Sequence, residues 1–126
     1  GYRKLSNIRL MEYNNDFRYD LKVGQVAEEL LAELLTNKKI EVKRDLRAIE
    51  TGNIYVEYFS RGKASGISKS EADFYCYFIT DTRMFLIETK ELKNLCRVYL
   101  GTSRDKKGGD SNTSKGILLP IKDLIK

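Results

Sequence analysis

Apolar residues recur at two different periods along this chain, and the change of period marks its elements. Between about Leu21 and Thr36, the residues Val23, Ala27, Leu30, Leu31 and Leu34 form one stripe at helical spacing. That predicts an amphipathic helix, with Asp20 placed to cap it and Asn37-Lys38 to end it. Gly24 inside its first turns costs about 1 kcal/mol against alanine, which points to close packing or a nearby ligand. Residues 1–20 are polar and aromatic, with a turn at Asn14-Asn15-Asp16, and read as an N-terminal extension.

The period then drops to two. Lys39–Asp45 (KIEVKRD) alternates, with Ile40, Val42 and Arg44 on one face and Glu41, Lys43 and Asp45 on the other. Residues 46–52 read as a turn, and Asn53–Phe59 (NIYVEYF) as an aromatic, β-branched strand. Ser60 to Ser70 reads as a loop, and Ser68 to Ala72 as a short helix. Asp73–Thr80 and Arg83–Glu88 predict two more strands about a Thr80-Asp81-Thr82 turn. Lys90 to Val98 predicts a helix with Leu92, Leu95 and Cys96 inward. Residues 101–116 are rich in glycine, serine and lysine and read as a flexible basic loop. Ile117–Ile121 closes the chain as a strand that Pro120 assigns to a sheet edge. The order is that of a single α+β domain over residues 1–126, with a mostly antiparallel sheet flanked by helices.

Composition narrows the chemistry. The chain has 126 residues, 41% of them hydrophobic and 33% charged, enough for a core without disulfide staples. No apolar run approaches the roughly 20 residues of a membrane span, so no membrane partner is expected and a cytoplasmic location is. There is no histidine, which removes every mechanism built on imidazole. Cys76 and Cys96 are too few and too far apart for a Cys-rich zinc site. Carboxylates, lysines, arginines, hydroxyls and a hard metal ion with oxygen ligands remain. The net charge of +5 suits a polyanion, and DNA is the expected partner. The basic residues gather around the first strand (Lys38, Lys39, Lys43, Arg44, Arg47) and in the last thirty residues (among them Arg104, Lys106, Lys107 and Lys115). Arg44, Arg61, Lys63, Lys106 and Lys107 are the expected contacts to phosphates, which reward such neutralisation by counterion release.

Closing the first two strands as a hairpin about position 49 sets Asp45 against Asn53, Lys43 against Tyr55 and Glu41 against Glu57. Facing residues on paired strands lie about 4.5–5.5 Å apart, and like charges there are destabilising. A divalent cation gives such a cluster a reason to exist, because magnesium is held by one or two carboxylates plus water and substrate phosphate. Ordinary cross-strand ion pairs on a solvent-facing strand explain the same residues without a metal. A rival cluster comes from Asp73 and Glu88-Thr89-Lys90, where closing the second hairpin sets Asp73 against Lys90. Tyr55, Tyr75 and Phe85 read as core or sheet-face residues.

A helix with G-x-x-A-E (Gly24, Ala27, Glu28) followed by acid-rich strands with Glu41-Val42-Lys43 resembles the PD-(D/E)xK nuclease superfamily. The local pattern is closest to archaeal Holliday-junction resolvases and small phage-encoded relatives. Glu41–Asp45, Thr51-Gly52-Asn53, Ser65-Gly66-Ile67, Ala72-Asp73 and Gly108–Gly116 resemble one group of phage proteins assigned there. The resemblance implies a restriction-endonuclease-like fold and a Mg²⁺ (or Mn²⁺) dependent DNA nuclease, acting on branched DNA and, like the resolvases, as a homodimer. In that family a helix glutamate and two strand acids hold the metal, and a lysine two residues after the second acid assists. Glu28 matches the helix position, Asp45 and Glu57 the strand acids, and Lys43 with Glu41 the E-x-K element. Two departures stand out. Phe59, not lysine, follows Glu57 by two residues, and no Pro-Asp pair occurs. The alternative to an enzyme is therefore a non-catalytic nucleic-acid-binding module on the same fold.

Overall fold

A computed structural model describes residues 17–108 and 112–126, with side chains from residue 23 onward. It divides the chain into two compact units, Gly1–Lys38 and Lys39–Lys126. In the first, helix α1 runs Phe17–Asn37, four residues longer at its start than its apolar stripe implied, so Asp20 lies inside it rather than capping it. The turn expected at residues 14–16 lies outside the described residues.

The second unit is a mixed α+β fold built on two sheets. Strand β1 (Ile40–Arg44) lies beside β4 (Phe74–Phe78), which lies beside β5 (Met84–Glu88). The other sheet has the order β3 (Lys63–Ala64), β2 (Asn53–Ser60), β7 (Ser114–Pro120), β6 (Asp105–Gly108). Helix α2 (Ala48–Thr51) forms one turn where a plain turn was expected, and ends on Gly52 in the left-handed region at φ 73°. Helix α3 (Thr89–Arg97) follows β5 directly, and 3₁₀ turns occupy Gly66–Ser68 and Ile121–Ile125.

The expected first hairpin does not form. β1 pairs with β4, and in parallel: Glu41 stands beside Tyr75 and Lys43 beside Tyr77. β2 pairs instead with β7, setting Glu57 opposite Gly116. The insertion of α2 carries the chain out of β1 into the other sheet, so Glu41 and Glu57 are not cross-strand neighbours. The second hairpin does form, one residue out of the expected register. Phe74 faces Glu88, and Asp73 falls opposite Thr89 rather than Lys90.

Alternation decides what is buried. Ile54 and Val56 of β2, with Ile117 and Leu119 of β7, supply one wall of the core; Tyr75, Tyr77 and Ile87 supply another, and Leu92 and Cys96 of α3 pack with them. Each fully buried aliphatic side chain here stabilises by about 1.5–3 kcal/mol. Leu92 is fully buried, and its truncation to alanine costs about 2–5 kcal/mol. The outer face of the three-stranded sheet is the less covered one: Val42 is 55% and Met84 57% exposed.

Two further expectations are corrected. Of the basic stretch 101–116, residues 105–108 form β6 and residues 114–116 open β7 rather than a loop, while residues 109–111 lie outside the described residues. Tyr58 donates its hydroxyl to Asp105 Oδ1 at 2.7 Å, and the Gly101 amide donates to Oδ2 at 2.9 Å, which pins the stretch. Pro120 does not mark an edge strand either. β7 is interior to its sheet, and Pro120 is its last residue.

Candidate functional site

The acid cleft is built where β1 ends beside the open edge of β2. β3 covers only Phe59 and Ser60, so the Tyr55 amide and carbonyl on that edge have no strand to pair with. Two side chains supply the partners. Asp45 Oδ2 accepts the Tyr55 N–H at 2.9 Å, and the Tyr77 hydroxyl donates to the Tyr55 carbonyl at 3.2 Å. A carboxylate at the end of β1 and a phenol on β4 thus join one sheet to the edge of the other.

This junction brings Lys43, Asp45 and Glu57 to a single cleft of about 220 Å³, with Tyr75 and Tyr77 among its walls. Glu57 is held by the Ser65 hydroxyl, which donates to Oε2 at 3.0 Å. Gly66 lets the chain approach that closely. A Cβ there would stand 2.1 Å from the Glu57 carbonyl oxygen, at a φ of +50°. Asp45 and Glu57 each have one oxygen in these hydrogen bonds, and the second has no partner among the described residues.

Tyr75 is 1% exposed, and its hydroxyl has no hydrogen-bond partner in good geometry. Burial raises its pKa; the nearby Ser70 hydroxyl offsets this in part and the Glu41 charge adds to it. Burial pushes the Tyr77 phenol further up, with Tyr75, Cys96, Asp45 and Glu41 adding to the effect. Both phenols therefore stay neutral donors at any ordinary pH.

A magnesium ion fits the donor set in number and kind, since two carboxylates with a free oxygen each, completed by water and phosphate, is a common arrangement. No group of three or more acid, cysteine or histidine side chains is placed to hold a metal among the described residues. Asp45 and Glu57 would hold the ion. Glu28 lies on α1 in the first unit, half-buried. Glu41 shares the face of Lys43 one pleat earlier but does not line the cleft.

The rival set sits at one strand–helix junction, outside the acid cleft. Asp73 Oδ2 accepts the Lys39 amide at 2.9 Å, and its carbonyl accepts the Thr89 amide. Glu88 stands at the N-cap of α3, on the strand face shared with Phe74, and Lys90 lies inside α3. None of the three lines the acid cleft.

The expected phosphate contacts separate as well. Arg44 points to the other face of β1, where its guanidinium pairs with Asp81 at 2.6 Å. Arg61 and Lys63 flank the exposed β2–β3 turn, with Arg61 itself at φ 51°. Lys106 and Lys107 on β6 line a second cleft of about 340 Å³ together with Arg47, Asp45 and Tyr55. Sequence reading grouped Arg47 with the basic residues but not with the site, because α2, which turns it toward β6, was read as a plain turn. Tyr55 is not core. Its ring lies over Gly116 and Gly108, and its hydroxyl meets the Ser114 hydroxyl at 3.1 Å. The signal in the sequence was the pair of glycines in a basic stretch, which flat aromatic packing requires and a flexible loop merely tolerates.

No helix among the described residues is long and apolar enough to cross a membrane. No family model, no curated protein and no solved structure matches this chain.

Proposed function

We propose that this chain is a metal-dependent deoxyribonuclease that hydrolyses phosphodiester bonds in the acid cleft, on a restriction-endonuclease-like form of the α+β fold. One observation carries the reading: Lys43, Asp45 and Glu57 come from two sheets with no ladder between β1 and β2, yet open on the same cleft. Each of the two acids keeps one oxygen without a partner among the described residues, open to a metal ion or water.

A Mg²⁺ held by Asp45 and Glu57 would supply charge neutralisation at the phosphate and a lowered pKa for a coordinated water. The protein's own groups do the rest. Asp45 and Glu57 orient their remaining oxygens, each fixed by the hydrogen bond its partner oxygen makes. Lys43 places an ammonium where negative charge develops on the phosphate, or holds the attacking water by a hydrogen bond.

The binding-module reading is favoured by Phe59, where the resemblance places a lysine, and by the presence of two rather than three acids at the cleft. Cleavage of labelled branched and duplex DNA in Mg²⁺ or Mn²⁺, with a chelator control, separates the two. Metal-dependent cleavage that Glu57→Gln abolishes while DNA binding survives supports the nuclease. Binding alone, unaffected by metal and without cleavage across the substrate panel, establishes the module.

A further inference from the structure

We propose that the Arg47–Lys106–Lys107 cleft is a phosphate-binding subsite for a nucleic acid strand that continues over Tyr55 into the acid cleft. The proposal rests on the reading of the acid cleft as the place where the strand is cut. The two clefts are neighbours with a common wall, since Asp45 and Tyr55 line both. Their charge balance differs. The smaller cleft sets Asp45 and Glu57 beside Lys43 and Arg44, the latter paired with Asp81; the larger sets Arg47, Lys106 and Lys107 against Asp45 alone, and none of these three cations is in an ion pair among the described residues.

Tyr55 is fixed as the divider. A side chain at Gly116 would come within 2.5 Å of its ring, and one at Gly108 within 2.8 Å of its hydroxyl oxygen. Both strands beneath it are bare, so the ring lies against the sheet. The Tyr55 amide is bonded to Asp45 and its hydroxyl to Ser114, so backbone and side chain are held from opposite ends. An excess of cations on one side of a rigid wall and a balanced acid–lysine group on the other do not suit a lone anion, which both clefts cannot share. They suit a chain of phosphates, one neutralised by Arg47, Lys106 and Lys107 while another lies by the acids with their metal. Arg104 does not compete for this role, because its guanidinium is taken up by Asn53 Oδ1 and the Leu118 carbonyl.

The test compares the triple variant Arg47→Gln/Lys106→Gln/Lys107→Gln with a control of equal charge loss, Lys93→Gln/Arg97→Gln/Lys122→Gln, whose first two positions line a pocket on the other side of the β2–β7 sheet. Duplex DNA affinity is measured in chelator against salt concentration. For one lost phosphate contact the slope of log K against log salt should fall by about 0.9 in the first triple variant and stay unchanged in the control. Cleavage in Mg²⁺ is then measured on substrates with single methylphosphonate linkages near the cut. One flanking linkage should raise KM for the native protein and have no effect on the first triple variant. A slope that falls equally in both variants, or a methylphosphonate effect that persists without the three cations, overturns the subsite. Absent cleavage with a slope that falls only in the first variant overturns the nuclease reading and supports the subsite.

Discussion

Two acid–lysine groups of similar composition meet different fates in this chain. Asp73, Glu88 and Lys90 have the spacing expected of a nuclease motif, and the fold uses them locally. The Asp73 carboxylate holds the Lys39 amide, Glu88 occupies the N-cap position of α3 without a side-chain capping bond, and Lys90 lies in the first turn of that helix. Asp45, Glu57 and Lys43 lack the spacing, yet tertiary structure gathers them at a cleft. Both aspartates accept a backbone amide at 2.9 Å, so that bond alone does not mark a functional residue. What differs is the company of the second oxygen: a cleft with another acid and a lysine for Asp45, a strand–helix junction for Asp73.

The sharpest way to break this contrast is to mutate both groups in parallel. Glu57→Gln and Lys43→Ala should lower the rate of metal-dependent cleavage by orders of magnitude, whereas Glu88→Gln and Lys90→Ala should change it by less than about tenfold. If the second pair is the inactive one, the assignment of the site reverses and Asp73, Glu88 and Lys90 take its place.

A backbone change should show how far the cleft depends on its support. Gly66→Ala puts a methyl group against the Glu57 carbonyl at a positive φ, and should destabilise the fold by about 1–3 kcal/mol, read as a lower urea midpoint. Ser65→Ala leaves the backbone alone and removes one hydrogen bond to Glu57, at a cost near 1 kcal/mol. Cleavage that survives Ser65→Ala at full rate would show that Glu57 needs no such orientation.

The two aspartates should also separate under an isosteric change. Asp45→Asn and Asp73→Asn both keep an oxygen for the amide they accept, so each should cost only about 0.5–1.5 kcal/mol of stability. Only Asp45→Asn should abolish cleavage. Equal loss in both would make the cleft an incidental feature of the fold.

The smallest effect is on pH dependence, at the Tyr58–Asp105 bond that orders β6. The Asp105 hydrogen bond, with burial, raises the Tyr58 phenol to about 12. Burial opposes the Asp105 charge, but the Gly101 amide and the Tyr58 hydroxyl outweigh it and hold that carboxyl below its usual range. The signs follow by linkage. The Tyr58 contribution is complete below the unfolded tyrosine pKa near 10 and is lost as pH rises through about 12. The Asp105 contribution is present above the unfolded carboxyl pKa near 4 and is lost as pH falls through its lowered folded value. Urea midpoints across pH should show both limbs, and Tyr58→Phe should flatten the alkaline one.

Several elements were legible because their signals are local. The helix stripe of Val23 to Leu34, the strand Asn53–Ser60 and the β4–β5 hairpin follow from period and turn residues within a few positions. The stretch 101–116 was not legible, because its order depends on Tyr58 and Tyr55, about fifty residues away in sequence. The register of the second hairpin differs by one, since turn length fixes register and the loop between the paired residues is one residue longer than expected. For the site, Lys43, Asp45 and Glu57 were chosen for a hairpin that does not exist. They meet anyway because alternation placed Lys43 and Asp45 on the strand face that the parallel pairing with β4 turns toward β2.

The sequence by itself determined which faces each strand offers, because side-chain alternation is fixed by the pleat. It also determined which chemistry is open, because a chain without histidine has only carboxylates, amines, guanidinium groups, hydroxyls and two thiols to work with. Only the tertiary structure decided which faces meet. Partner choice between strands depends on the summed burial of distant residues such as Ile54, Tyr77 and Leu119, not on any local pattern. Asp45 becomes a junction and Tyr55 a wall only once β1 has left β2 for β4, and no window of neighbouring residues contains that event.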